Sequence, residues 1–306
     1  MSNPAEIDAF HQALNAGNVD KAREWIEKGI DVNAFYYAMH TLNVRYLPDK
    51  PVFELVKLLV DNGGDFNRGY QYGESGFFTA VADGHLEAAE YMLDKNPDLT
   101  VKLQNGATSL HCLGEKGEGR PMQVSLTLKK DGEAITLTDP GAIRKIHGSD
   151  PDDEYFRYVR TFEVLLEHGM DVHAVDSDGF TPIFTATRSG ATEMVALLLA
   201  HGARPTVKDH WQVTPLHYAV RKGFSDIVDL LVTAGADVNP RDNYGFTPLH
   251  ETAEENRPRI AQFLLDHGAE RHPELVKHWE KYKKGDTPLT IAEQNGFEDV
   301  VRVLKQ

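Results

Sequence analysis

One group of residues towards the end of the chain has the spacing of metal ligands. Glu274 and His278 are four residues apart on one face of a predicted short helix at 273–282, and Glu270 and His272 lie nearby. A zinc site needs a closed set of such ligands, or three ligands and one open position. Exposed helices also carry Glu and His at this spacing, and nothing in the sequence completes the set. We therefore expect no bound metal and no cofactor.

The single cysteine, Cys112, is the other candidate for chemistry. A thiol nucleophile is activated by a nearby base, and the sequence places none beside it. One cysteine cannot form a disulfide within the chain, which fits a reducing cytoplasm. Residues 1–10 show neither the basic nor the apolar region of a secretory signal, and no apolar run reaches the roughly 20 residues of a membrane span. We therefore expect a cytoplasmic protein.

Motifs of common enzymes are absent from the sequence. There is no Gly-rich phosphate loop, no Gly-x-Ser-x-Gly elbow and no Cys-x-x-Cys pair. Asp150, Asp152 and Asp153 suggest calcium, but the spacing of an EF-hand loop is missing, and an acidic helix start explains them more simply. The sequence therefore predicts a protein that is not an enzyme.

The elements that position these residues are set by a repeated phrase. Thr-Pro occurs at Thr181, Thr214 and Thr247, in steps of 33 residues, and returns at Thr287 after 40 residues. Thr can cap the free N–H groups of a helix start, and Pro suits the first helical position. A fixed period of this size indicates one supersecondary unit that is copied and stacked.

The residues that follow each phrase describe a pair of helices. After Thr214, the first helix contains His217 and Ala219, and Gly223 separates it from a second, apolar helix. Gly235 can end that second helix because glycine adopts the left-handed conformation without strain.

This pattern resembles the ankyrin repeat, a helix pair followed by a protruding finger. The resemblance implies that His217, and likewise His111 and His250, form hydrogen bonds within their own repeats. Signatures such as Asp-Val-Asn at 31–33 and 237–239 mark seven repeat ends, and a last helix pair follows them. We therefore predict an all-α solenoid of about eight helix-pair repeats that forms a single domain over residues 1–306.

The predicted solenoid has polar caps and two irregular segments. The caps are residues 1–33 and 287–306, and the repeats between them span 34–284. A step of 73 residues from Asp98 to Asp171 places an insertion at 117–153 in the fourth repeat, and a modified finger occupies 270–286.

The insertion carries a strand pattern. Residues 124–128 and 134–138 alternate apolar or β-branched with polar residues, and 129–133 has turn chemistry, which predicts a β-hairpin. An isolated hairpin is marginal in water, so it should pack on the solenoid or on a partner. A tolerated loop extension explains the segment equally well.

The formal net charge of −15 limits the choice of partners. It argues against binding to the phosphate backbone of nucleic acids, which needs an array of Lys and Arg. It favours a partner with a basic surface, although solubility alone accounts for the charge as readily.

The resemblance also implies a binding surface, because the first helices and finger tips of ankyrin repeats line a concave face. We expect Trp211, Tyr244 and Tyr72 to contact a protein partner, since exposed Trp and Tyr dominate interface energies. Phe180 and Phe246, one residue before Thr-Pro, should instead pack finger on finger. The full set of predicted partner-binding residues is Tyr70, Tyr72, Gln104, Asn105, Ser177, Asp178, Arg188, His210, Trp211, Arg221, Lys222, Asn243, Tyr244 and Trp279.

The sequence thus predicts a monomeric, non-enzymatic module that binds a protein partner, without nucleic acid or membrane. Its charge and its capped array favour an inhibitor that neutralises a basic toxin or enzyme, similar to bacterial immunity proteins. A signalling adaptor or scaffold, or a host-directed effector, is the alternative. An enzyme with a site around the insertion and Cys112 is less favoured.

Overall fold

The computed structural model describes residues 4–33, 49–67, 75–116 and 154–306. Within these ranges every regular element is a helix, and the only β contact is an isolated bridge between Trp279 and Tyr282. The all-α prediction is confirmed for the described residues. The predicted hairpin and the rest of the insertion at 117–153 lie outside them, and the count of eight repeats stays a prediction.

The described residues form two compact units. The first unit draws on residues 1–113 and 149–171. Its helices are α1 (Pro4–Asn15), α2 (Val19–Glu27), α3 (Asp49–Asp61), α4 (Gly76–Ala82), α5 (Leu86–Leu93), α6 (Ser109–Gly114), which ends at the boundary between the units, and α7 (Glu154–Glu167). In this unit α4 packs on α5, and α5 also contacts α3 and α7.

The second unit draws on residues 114–148 and 172–306. Its helices are α8 (Pro182–Ser189), α9 (Thr192–Ala200), α10 (Pro215–Lys222), α11 (Ser225–Thr233), α12 (Pro248–Glu254), α13 (Pro258–Asp266), α14 (Pro288–Asn295) and α15 (Glu298–Leu304). These helices form four consecutive pairs, and the first helices of the pairs stack in order, α8 on α10, α10 on α12 and α12 on α14. In the described residues, no helix has the length and apolarity that crossing a bilayer requires.

Each Thr-Pro phrase begins a first helix, as predicted. The Thr is the N-cap residue in an extended conformation, and the Pro is the first helical residue. Gly223 ends α10 with a φ of 77°, and Gly235 follows α11 with a φ of 90°. Both positions need glycine because other residues are strained at positive φ. The residues that start and end each helix therefore set its length.

Buried histidines complete the helix starts, as the resemblance implied. The backbone N–H of Thr214 donates to Nδ1 of His217 over 3.1 Å, and Nε2 of the same ring donates to the carbonyl oxygen of Phe246 over 3.2 Å. His250 and His111 accept the equivalent N–H bond at 3.1 Å. Burial lowers the pKa of His217 to about 3 and that of His250 to about 4. The two rings are therefore neutral, structural hydrogen-bonding groups.

The predicted short helix at 273–282 is wrong. This segment is an irregular loop whose backbone groups bond elsewhere, with the N–H of Val276 donating to the Tyr244 carbonyl over 2.9 Å and that of Leu275 to the Asp286 carbonyl over 3.0 Å. The side chains of Leu275 and Tyr282 are buried, each 1% exposed. These long-range hydrogen bonds and the burial they permit outweigh the local helical pattern.

Candidate functional site

Three loops of the second unit contain the same hydrogen-bonded turn. Asp176, Asp209 and Asp242 recur at steps of 33 residues, and each carboxylate accepts backbone N–H groups from two and four residues further on, at 2.8–3.0 Å. Such a bond fixes the turn that precedes each first helix. It holds Trp211 and Tyr244 at equivalent tips of neighbouring loops. We call these three loops and residues 270–286 the loop face.

Aromatic side chains from successive repeats line a cavity of about 300 Å³ in the loop face. Trp211 and Tyr244 come from the loop tips, Tyr218 from α10, Phe246 from the end of its loop and Trp279 from residues 270–286. The rings of Tyr244 and Trp279 are 4.4 Å apart, whereas Trp211 is 53% exposed. Ligand pockets span about 300 to 1,000 Å³, so this cavity suits a small group or one side chain.

The two loop tips that flank the cavity are tied to each other. The backbone N–H of Asn243 donates to the carbonyl oxygen of Trp211 over 3.0 Å, and the Tyr244 carbonyl accepts the bond from Val276 described above. A Cβ atom on Gly245 would stand only 2.9 Å from the Val276 nitrogen, so the close approach requires glycine. The aromatic rings therefore stand on a backbone that is fixed before any ligand arrives.

Carboxylates form the polar part of the cavity lining. Asp209, Asp242 and Glu254 line it together with Arg221. Burial raises the pKa of each of the three carboxyl groups above its ordinary value. Asp209 is only 2% exposed, and its Oδ2 atom has no hydrogen-bond partner among the described residues. One residue of the lining thus has a buried carboxylate oxygen to which no group among the described residues donates.

Arg221 is hydrogen-bonded to Glu251. Its charge also opposes the raised pKa of Asp242 and of Glu254. Its Nε atom donates to Oε2 of Glu251 over 2.9 Å and its Nη2 atom to Oε1 over 2.6 Å, while its guanidinium lies 5.4 Å from the Tyr218 ring centre. Burial raises the pKa of Glu251 and the bonds from Arg221 oppose that shift; the same bonds raise the pKa of Arg221. With both oxygens accepting N–H bonds, the geometry accommodates the ionised pair. The other three carboxylates leave the cavity negatively charged.

The structure brings four predicted partner-binding residues to this cavity: Trp211, Arg221, Tyr244 and Trp279. His210, Lys222 and Asn243 are exposed neighbours of these residues in the chain. Phe180 and Phe246 are buried, as predicted for packing between fingers.

The remaining predicted residues are not part of the cavity. Ser177 and Asp178 are exposed on the loop before α8, and Arg188 donates to Glu115 over 2.7 Å with its guanidinium 5.1 Å from the Phe180 ring. Gln104 and Asn105 are exposed in the first unit, and Tyr70 and Tyr72 lie outside the described residues.

Asp209, Asp242 and Tyr218 were not among the predicted binding residues. A signal for two of them was present, because Asp stands five residues before Thr-Pro in three successive repeats. Tyr218 and Glu254 lie on first helices, and only the stacking of α10 on α12 brings them to the same cavity.

The candidate metal ligands are not assembled. Glu270, His272, Glu274 and His278 are all exposed, and Glu270 accepts from Arg241 over 3.4 Å. Across the part of the chain that is described, no group of three or more His, Cys, Asp or Glu residues is arranged to hold a metal ion.

Stacked helix pairs with capped starts and a row of exposed loop tips define the second unit as a helical repeat structure. The family model of ankyrin repeats, in three copies, matches residues 155–209 and 207–274. Among known proteins, the ankyrin repeat protein YahD of Escherichia coli strain K12 is 25% identical over 194 residues, which cover 61% of this chain and 92% of YahD. Residues 155–274 thus match ankyrin repeats, which are protein–protein interaction modules, and the chain is similar to an ankyrin repeat protein along 61% of its length.

Proposed function

We propose that the loop face of the second unit binds a protein partner around Trp211. The observation that carries this proposal is the 53% exposure of the Trp211 side chain on a turn that Asp209 fixes through two hydrogen bonds of 2.9 Å. Large aromatic residues on a rigid backbone lose little conformational entropy on binding and are enriched among the residues that dominate interface energies.

The partner carries a basic surface. The chain has a formal net charge of −15, and three carboxylates line the cavity beside Trp211. Opposite charges steer two proteins together and raise the association rate at low salt. Adding salt should therefore slow association markedly, whereas dissociation, which depends on the packed aromatic contacts, should change less.

The role that fits these features is that of a cytoplasmic inhibitor, similar to an immunity protein, which neutralises a basic toxin or enzyme in a complex of one copy each. The negative charge and the lone Cys112 support this role. An inhibitor has to cover the functional surface of its target, and a row of loop tips can cover such a surface.

The test is to capture a partner from lysate with the purified chain and then measure that partner's activity as the chain is added. We expect activity to fall to zero at one equivalent. A partner that stays fully active at saturation would instead assign an adaptor role. If Trp211→Ala captures the same partner with unchanged yield and affinity, the loop face is not the binding site.

A further inference from the structure

A carboxylate oxygen beside the cavity in the loop face has no hydrogen-bond donor among the described residues. Asp209 is 2% exposed and uses Oδ1 to accept the N–H groups of Trp211 and Val213. Its Oδ2 atom, in the residue that lines the cavity, has no partner among the described residues. Leaving a buried charged acceptor unsatisfied is costly, and a bound donor would remove that cost.

The charges around this atom select a cation. Asp242 and Glu254 line the same cavity, and Arg221, the one basic residue in its lining, already donates two hydrogen bonds to Glu251. A neutral donor would satisfy the Oδ2 atom but would leave three carboxylates close together. A cationic donor satisfies the acceptor and reduces the repulsion between them.

The aromatic lining narrows the choice among cations. The faces of Trp and Tyr rings attract cations, and the planar guanidinium of arginine also stacks on them. A quaternary ammonium has no N–H and would leave Oδ2 of Asp209 unsatisfied. Lysine could donate to that atom, but its compact ammonium neither stacks flat on an aromatic ring nor bonds a carboxylate through two parallel N–H groups.

We infer that this cavity binds the guanidinium of an arginine side chain. The inference rests on the proposed function for the source of that arginine, which is the basic surface of the protein partner. A volume of about 300 Å³ is enough for one such side chain and too small for a folded segment. The partner would thus insert a single arginine as its anchor.

The direct test uses small probes instead of the partner. The chain has three tryptophans, and Trp25→Phe leaves only Trp211 and Trp279, both of which line the cavity. Titration of this variant with N-acetyl-arginine methylamide should change the indole fluorescence and shift both indole N–H signals in NMR spectra. The citrulline analogue has the same shape without the charge, and it should bind at least tenfold more weakly. The lysine analogue should also bind more weakly than the arginine probe.

A matched pair of variants tests the role of Asp209. Asp209→Asn keeps an oxygen that can accept both backbone N–H groups but removes the charge, so the arginine probe should lose about tenfold in affinity. Asp176→Asn makes the same change in the equivalent turn one repeat earlier, outside the cavity, and should leave probe binding unchanged. Urea unfolding of both variants verifies that they are folded.

Three results would overturn the inference: equal binding of the arginine and citrulline probes, tighter binding of the lysine probe, or equal probe affinity in the two Asn variants. The proposed function is tested separately. If Trp211→Ala weakens the protein complex while the arginine probe does not bind, the guanidinium site fails and the loop face remains the partner-binding surface.

Discussion

Acid should destabilise the second unit through its two buried histidines. The pKa of His217 is about 3 and that of His250 about 4 in the folded chain, against about 6.5 in an unfolded one. Below pH 6.5 the unfolded chain therefore binds protons at these two side chains that the folded chain does not, and their contribution to stability falls as the pH drops through this window. At pH 5 the loss is about 2 kcal/mol for each histidine, or about 4 kcal/mol together, relative to pH 8.

The matched variant is His217→Gln with His250→Gln. Glutamine at the third helical position can accept the same N-cap N–H bond but does not titrate in this range. The double variant should lose about 4 kcal/mol less than the parent between pH 8 and pH 5. Urea unfolding in the Trp25→Phe background reports on this unit through its two remaining indoles, and His278→Gln, which removes an exposed imidazole, serves as the control. An unchanged pH dependence in the double variant would refute the assignment of neutral, buried rings.

Two further predictions concern the packing of the same unit. Arg221→Met should lower the free energy of unfolding by about 3 kcal/mol at pH 8, because it leaves the buried Glu251 without its partner, and by less at pH 5, where the raised pKa lets that carboxyl take up a proton. Combining Arg221→Met with Glu251→Leu should recover most of this loss in urea unfolding. A double variant less stable than the single one would contradict this expectation. Leu198→Ala and Leu230→Ala, at side chains 0% and 2% exposed, should each cost about 2 to 5 kcal/mol, and a loss below about 1 kcal/mol at both sites would show that these helices are not packed as described.

The parts of the fold that were predictable depend on local chemistry. Thr214 and its equivalents cap helices whatever lies beyond the next turn, and Gly223 breaks the chain because of its own backbone freedom, so both signals could be read from the sequence. Residues 273–282 could not, because their conformation depends on a hydrogen bond from Val276 to the loop that carries Tyr244, and no local pattern reports that contact.

The candidate binding site was only partly predictable for the same reason. Trp211 and Tyr244 were identified as loop-tip aromatics in the repeat register. The cavity between them also needs Trp279, which the irregular segment folds back onto Tyr244, and Asp209, whose unused oxygen only a three-dimensional view reveals. The sequence shows which residue types are present, but it does not show which of them come into contact between repeats.

Binding of a partner by the loop face around Trp211, as we propose, is tested most directly by one comparison of affinities. The dissociation constant of the partner complex should be measured by calorimetry for Trp211→Ala and for Trp25→Ala, which removes the only tryptophan outside this face. Because the Trp211 side chain is 53% exposed, its loss should leave the melting temperature nearly unchanged and weaken the complex by about tenfold or more, whereas Trp25→Ala should leave affinity intact. Equal affinities in the two variants would contradict the account.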